Sequence, residues 1–228
     1  MLLTEFYTLP VTQTLARPSD YLRAAAAAGE THMGLCGETM ESMLQRGESM
    51  MIARSALRFV RPDLQADTVR TRQISLHGVR AERLFEFYCG DVLTAEAINE
   101  YFCVKLETRR VFRPEWFMHP GTPYAGTLQL RRVAVPENGI QVAAHTVDDA
   151  FIDYNGHLNN TYYCDYAMEA FEHAEFPFEL YIQYLHELLP HAAFTLHRSI
   201  DGATVYGMQG ETASFAALRV DTKGEQAE

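Results

Sequence analysis

Polar and apolar positions alternate along most of this chain, and the alternation is broken twice by a helical spacing. In DYLRAAAAAGETHMGLCGETMESMLQRG, residues 20–47, Leu22, Ala26, Gly29, Met33, Met40 and Leu44 recur at helix-like intervals. Pro18-Ser19 offers a start and Gly47 a stop, while Gly34 and Gly37 predict close packing or a break. Four extended runs follow, SMMIARSALRFV, DTVRTRQISLHG, RAERLFEFYCG and EAINEYFCVKLETRRV, with turn signals at Pro62-Asp63, His77-Gly78 and Gly90-Asp91. FMHPGTPYAG, residues 117–126, reads as a connector. Then the order repeats. NGIQVAAHTV reads as a strand, and 159–173 as a helix with Tyr162, Tyr163, Tyr166, Ala167, Ala170 and Phe171 on one face, stopped by Pro177. FELYIQYLHELL, HAAFTLHRSI, ATVYGMQG and TASFAALRV read as strands, with Asp201-Gly202 a hairpin turn. Strand, helix and four strands, twice over, predict an α+β duplication with one helix against each antiparallel sheet, and a polar tail from Lys223.

Composition narrows the class. A chain of 228 residues, 47% hydrophobic and 21% charged, is globular and long enough to bury a proper core. No apolar run approaches the roughly 20 residues that cross a bilayer, and MLLTEFYTLP lacks the basic and apolar regions of a signal peptide. The expected location is the cytoplasm, without membrane association. Cys36, Cys89, Cys103 and Cys164 are scattered and predict reduced thiols, neither a disulfide framework nor a zinc site. A net charge of −11 argues against nucleic acid. The charge is uneven: residues 1–53 carry 3 basic and 6 acidic groups, residues 54–132 carry 13 and 9, and residues 133–228 carry 3 and 15. The Arg-rich middle is either a solvated sheet face or a docking surface for an anionic partner.

One segment is chemically dense. In FIDYNGHLNNTYYCDYAMEAF, residues 151–171, an Asp, three Asn and a His precede the second helix. Asn-Gly is a frequent turn, and Asn159 or Asn160 could simply cap the helix. Alternatively, Asp153, Asn155 and His157, spaced by two, point one way from an extended segment. They would meet at a helix N-terminus, whose free N–H groups favour developing negative charge. An acid, an amide and an imidazole beside such a site suit carbonyl chemistry.

The pattern of Asp153, Asn155, Gly156, His157, Asn159, Asn160, Tyr163, Tyr166 and Glu169 resembles the active-site signature of acyl–acyl carrier protein thioesterases. GETMESMLQRGESMMIAR (37–54) and LETRRVFRP (106–114) resemble the helix-to-strand passage and the end of the first unit in that family. The resemblance spans most of the chain. It implies a tandem hotdog fold: residues 1–117 an N-terminal unit shaping the acyl pocket, 118–126 a linker, and 127–228 a C-terminal unit carrying the catalytic motif. It also implies hydrolysis of acyl-acyl carrier protein to free fatty acid, with neither metal nor organic cofactor, by a monomer of two hotdog units or a homodimer.

The resemblance places a downstream acid at Glu187, in YIQYLHEL. Plant members carry a Cys after that Glu; here the position is Leu188, so a Cys–His mechanism there is unavailable. Tyr166 stands where the family commonly has Trp, and Met50-Met51 where an aromatic is often found. Glu187 or Asp153 would then activate water or attack directly, His157 would orient the base or water and protonate the leaving thiolate, and Asn155 with the helix N–H groups near Asn159 and Asn160 would hold the oxyanion. Met33 and Met51 are expected in the acyl tunnel or simply in the core. Arg109, Arg110, Arg113, Arg131 and Arg132, flanking the linker, are candidates for meeting the acidic carrier protein. HELLPH, residues 186–191, has the look of a zinc-protease HExxH, but its second His is one position too far and Pro190 breaks any helix. The rival readings are an acyl-CoA thioesterase, a non-catalytic acyl-thioester binding or sensor protein and, more weakly, a hotdog dehydratase.

Overall fold

The computed structural model describes residues 2–115, 121–172 and 176–222. Part of the expected linker, residues 118–120, and the polar tail lie outside the described residues. The helices are α1 (Pro18–Leu35), α2 (Met40–Gln45) and α3 (Asn160–Ala170). The first half contributes β1 (Tyr7–Pro10), β2 (Glu48–Phe59), β3 (Thr68–His77), β4 (Arg80–Cys89), β5 (Val92–Lys105) and the two-residue β6 (Val111–Phe112). The second contributes β7 (Gly139–Thr146), β8 (Phe178–Tyr184), β9 (Ala193–Ser199), β10 (Thr204–Gln209) and β11 (Thr212–Asp221).

All pairings among the named strands are antiparallel, in the order β1-β3-β4-β5-β2-β8-β11-β10-β9-β7, with β6 attached to β5. Each half wraps its strands around a helix, as the α+β duplication predicts. The junction is tighter than two separate sheets would make it. Ser55 of β2 lies opposite Ile182 of β8, and Leu57 opposite Leu180, so one ladder runs through both halves.

The first helix starts and breaks for local reasons. Arg17 rather than Ser19 occupies the N-cap: its backbone N–H donates to the Asp20 carboxylate at 2.8 Å, and Pro18 fills the first helical position, where no N–H is needed. Ser19 instead turns its hydroxyl to Asp165 of α3, and Arg23 reaches the same carboxylate at 3.6 Å, tying the two helices together. The break falls at Gly37, whose φ of +94° suits a residue without Cβ. Thr39 then caps α2 by accepting the Ser42 N–H.

The inner face of the sheet and the two long helices bury one continuous core, including Tyr21, Phe59, Phe85, Phe87, Tyr163, Phe178 and Phe215. Edge-to-face pairs such as Tyr21–Phe59 (5.2 Å) and Tyr163–Phe215 (5.3 Å) add directional packing. A smaller cluster covers the outer face. There the irregular run after residue 120 lays Leu128 and Val133 over Leu84, Ile98, Ala56 and Tyr181. The same face carries the Arg-rich middle of the chain as ion pairs: Arg54 grips Glu100 with two hydrogen bonds, Arg58 holds Glu179 at 2.6 Å, and Arg70 pairs with Glu86 at 2.9 Å. These arginines belong to a sheet-facing charge ladder.

Candidate active site

The site loop is a turn and not the extended segment expected. The Asp153 carboxylate accepts the Asn155 N–H at 2.8 Å, the Gly156 N–H donates to the Asp153 carbonyl, and Gly156 takes φ +82°. The turn closes where the Asp153 N–H meets the His157 carbonyl, with Ile152 bridging Leu158. The side chains therefore converge by chain reversal. The Asn-Gly turn and the convergent cluster, weighed above as alternatives, are both present.

His157 stands between two carboxylates. Its Nδ1 is 3.9 Å from Asp153 Oδ1 and its Nε2 is 3.4 Å from Glu187 Oε2. His157 and Asp153 are nearly covered, whereas the Glu187 side chain is 37% exposed. Glu187 is positioned by its neighbour. The Leu188 carbonyl accepts the Leu158 N–H at 2.8 Å, and the Leu188 N–H donates to the Tyr163 hydroxyl at 3.0 Å, so strand end, site loop and α3 are pinned together. Arg109, in a left-handed conformation after β5, holds Glu187 from outside with two contacts of 3.3 Å.

Asn155 is oriented from the other half of the chain. Ser49 of β2, fully buried, donates its hydroxyl to Asn155 Oδ1 at 2.8 Å. With that oxygen occupied, the amide offers its Nδ2–H donors. Asn159 is the N-cap of α3: its Oδ1 accepts both the N–H and the hydroxyl of Thr161. Asn160 begins the helix, where the backbone N–H has no intrahelical acceptor.

Two cavities meet at this cluster. The inner one, about 90 Å³, runs between α1 and the inner face of the sheet and is lined by Met33, Met40, Met50, Met51, Asp153, Asn155, His157, Asn159 and Asn160. The outer one, about 260 Å³ on the same measure, is lined by Arg109, Glu187, His186, Phe102 and Tyr163. Met51, Ile52, His157, Asn160 and Tyr184 border both. A bulge in β2 between Ile52 and Arg54 lets consecutive residues of that strand reach the site.

Sequence reading missed several residues here. Glu30 of α1, exposed to solvent, opens on the inner cavity; partial desolvation there, and then the Asp153 charge, raise its carboxyl pKa. Arg83, Asn99 and Tyr101 line the same cavity. The available signal was the alternation itself, since Arg83 and Asn99 fall on inward positions of β4 and β5, among Ala81, Phe85, Ala97 and Cys103. Of the remaining sequence candidates, Arg131 pairs with Glu179 at 3.8 Å and lies over the Tyr181 ring, on the outer face of the sheet. Arg110, Arg113 and Arg132 are exposed and make no ion pair among the described residues. Cys164 is fully buried in the main core, where burial pushes its thiol pKa far up. Among the described residues, no group of three His, Cys, Asp or Glu is gathered to hold a metal, and no helix is long and apolar enough to cross a membrane.

No protein-family model matches this chain, and no curated protein matches it in sequence. Solved structures do. An oleoyl thioesterase (putative) from Lactobacillus plantarum superposes with a TM-score of 0.75, over 95% of this chain and 96% of that one, at 16% identity. An acyl-ACP thioesterase from Bacteroides thetaiotaomicron gives 0.72 over 95% and 96%, at 13% identity. A 12:0-ACP thioesterase from Umbellularia californica gives 0.70 over 96% of each chain, at 14% identity. The chain has the double hotdog fold of these structures along nearly its whole length.

Proposed function

We propose that this protein is a thioester hydrolase that releases free fatty acid from acyl-acyl carrier protein. The observation that carries the reading is His157, set between Asp153 and Glu187 where two cavities meet at the start of α3. A thioester needs two such spaces, one for the acyl chain and one for the pantetheine arm. In this reading the inner, Met-lined cavity takes the chain and the outer one admits the arm past Arg109.

The chemistry then divides among the named groups. Glu187 or Asp153 takes a proton from water as it attacks the carbonyl carbon. The Asn155 amide and the free N–H groups at the start of α3 stabilise the oxygen as it becomes negative. The tetrahedral intermediate collapses by breaking the C–S bond, and the proton taken from water passes from the carboxyl group through His157 to the departing thiolate. Residues 1–117 supply most of the acyl pocket and 127–228 the reactive loop; one chain provides every group, so a monomer suffices. The choice of carrier protein rests on the full-length likeness to structures named as acyl-ACP thioesterases, and on the exposed, unpaired Arg110, Arg113 and Arg132, which suit an acidic partner.

The test is thiol release from matched acyl-carrier-protein and acyl-CoA substrates, with His157→Ala, Asp153→Asn and Glu187→Gln alongside. Faster turnover of the carrier-protein thioester, lost in His157→Ala, is expected, and the two acid variants rank the bases. Faster CoA turnover would reassign the substrate. Binding of both without release would make the protein a sensor.

A further inference from the structure

The inner cavity carries one cation. Arg83 of β4, on the inward face of the sheet, is the only Lys or Arg that lines it among the described residues. It is 6% exposed, and α1 lies over it: a Cβ placed on Gly29 would stand 3.6 Å from Arg83 Cδ. Of the acidic residues in the same wall, Glu30 feels the charge of Asp153, and neither pairs with Arg83.

Arg83 has no counter-charge among the described residues. Its Nη1 donates to His32 Nδ1 and to the Thr71 hydroxyl, both at 3.1 Å. His32 is neutral, since burial and then the Arg83 charge lower its pKa to about 4. Burial raises the pKa of Tyr101 and of Cys36, so the two other groups that act on Arg83 are uncharged as well. The hydrogens on Nε and Nη2 have no protein acceptor among the described residues, and neither nitrogen is sealed in the interior. Those two N–H groups form one edge of the guanidinium, and elsewhere in this molecule that edge holds a carboxylate. Arg54 Nε and Nη2 meet the two oxygens of Glu100 at 2.9 and 2.7 Å, and Arg61 grips Asp63 in the same way. Buried charges are paired as a rule, so an open edge of this kind marks the place of an anion.

We propose that Arg83 receives a carboxylate at the far end of the acyl chain, which makes thioesters of short dicarboxylic acids the substrate class. A carboxylate fills both N–H groups with its two oxygens and balances the charge. A hydroxyl or keto oxygen leaves the charge unbalanced, and a methyl end leaves the guanidinium both desolvated and unpaired. The size agrees. With roughly 10–15 Å³ needed for each water-sized centre, a cavity of about 90 Å³ holds on the order of six to nine heavy atoms. That is enough for a carboxylate on a chain of a few methylenes. The proposal rests on the reading of this cavity as the acyl site.

The experiment compares kcat/KM for thioesters of equal length that end in carboxylate or in methyl, about four to eight carbons long, for the wild type, Arg83→Gln and Arg83→Lys. The expected result is a preference of about tenfold or more for the carboxylate end at one length at least, the scale of one net hydrogen bond to a charged group. That ratio falls towards one in Arg83→Gln and is partly kept in Arg83→Lys, which retains the charge without the fork. In parallel, the monoamide of the dicarboxylic acid, its amide standing in for the thioester, should raise the wild-type melting temperature more than the amide of the plain acid does. Arg83→Gln should erase the difference. This second readout needs no turnover, so an inactive protein that still tells the two amides apart would refute the hydrolase reading and keep the Arg83 site. Equal or faster hydrolysis of methyl-ended chains at every length, equal thermal shifts in the wild type, or a preference that neither substitution diminishes overturns the proposal.

Discussion

Ser49 and Asn155 lie 106 residues apart in the chain and 2.8 Å apart in space, hydroxyl to amide oxygen. The bond joins β2 of the first half to the reactive loop of the second, and it decides which end of the Asn155 amide is free. Ser49→Ala leaves the amide free to turn its oxygen toward the substrate, where it would repel an oxyanion. A fall in kcat of roughly 10-fold or more is expected, approaching the 10²–10³ of a lost oxyanion donor, with KM nearly unchanged. Steady-state kinetics beside a melting curve checks it: a change in KM alone would show that Ser49 serves binding.

Arg109 clamps Glu187 from the solvent side, and at 61% exposure the pair is open to screening. Arg109→Gln should leave stability within about 0.5 kcal/mol, as for exposed ion pairs generally. Its effect on rate separates two roles. Equal slowing on carrier-protein and CoA thioesters marks a residue that positions Glu187; slowing on the carrier-protein substrate alone marks a docking contact. Rates at two salt concentrations sharpen the distinction.

His32 has no exposed surface, stacks on Tyr7 at 5.3 Å and accepts from Arg83. Burial, then the Arg83 charge, lowers its pKa from 6.5 to about 4. Below pH 6.5 the unfolded chain takes up a proton that the native protein does not, so stability falls as pH drops from 6.5 to about 4. The loss at this residue is about 3 kcal/mol across that window, at 1.36 kcal/mol per pKa unit. Urea midpoints at pH 7 and pH 4.5 should differ more for wild type than for His32→Gln. Equal differences would remove His32 from the account.

Leu188 is fully buried in the main core, while its backbone fastens the site loop to α3. Leu188→Cys should therefore lose about 2 kcal/mol of stability from missing apolar contact, without acquiring alkylation-sensitive activity. Thiol labelling of the folded variant, with rates before and after, tests this. Inactivation on labelling would mean that the side chain reaches the site.

Leu128 sits on the opposite surface of the sheet, far along the irregular run after residue 120, and is 1% exposed. Leu128→Ala should cost about 2–4 kcal/mol, the usual loss for a buried Leu. Denaturant unfolding measures it; a change under 1 kcal/mol would mean that this run lies loosely on the sheet.

The alternation and the helical intervals made most elements legible, because each strand has one face in the core and each long helix one stripe against it. Two short strands escaped. β1 and β6 are four and two residues long, below the length at which periodicity speaks. The polar cluster was legible as chemistry but not as geometry: spacing by two suggested an extended segment, whereas Gly156 at positive φ makes it a turn. Glu187 could be placed only through resemblance, since the expected strand stops at Tyr184 and nothing local distinguishes Glu187 from any carboxylate in the loop beyond it. Arg83 and Asn99 were visible as polar residues on inward positions, yet only the sheet register brings them side by side.

The ladder between β2 and β8 has a consequence for how such a molecule can diverge. Two identical subunits would carry every substitution twice, on both sides of the axis that relates them. Within a single polypeptide each half drifts alone. The stretch that leads into α1 reads VTQTLARP where the one that leads into α3 reads DYNGHLNN, so the first half lacks the acid and imidazole that the second carries. The helix and strands of the first half are then free to be recut as a measuring chamber, one that need match only a single reaction centre.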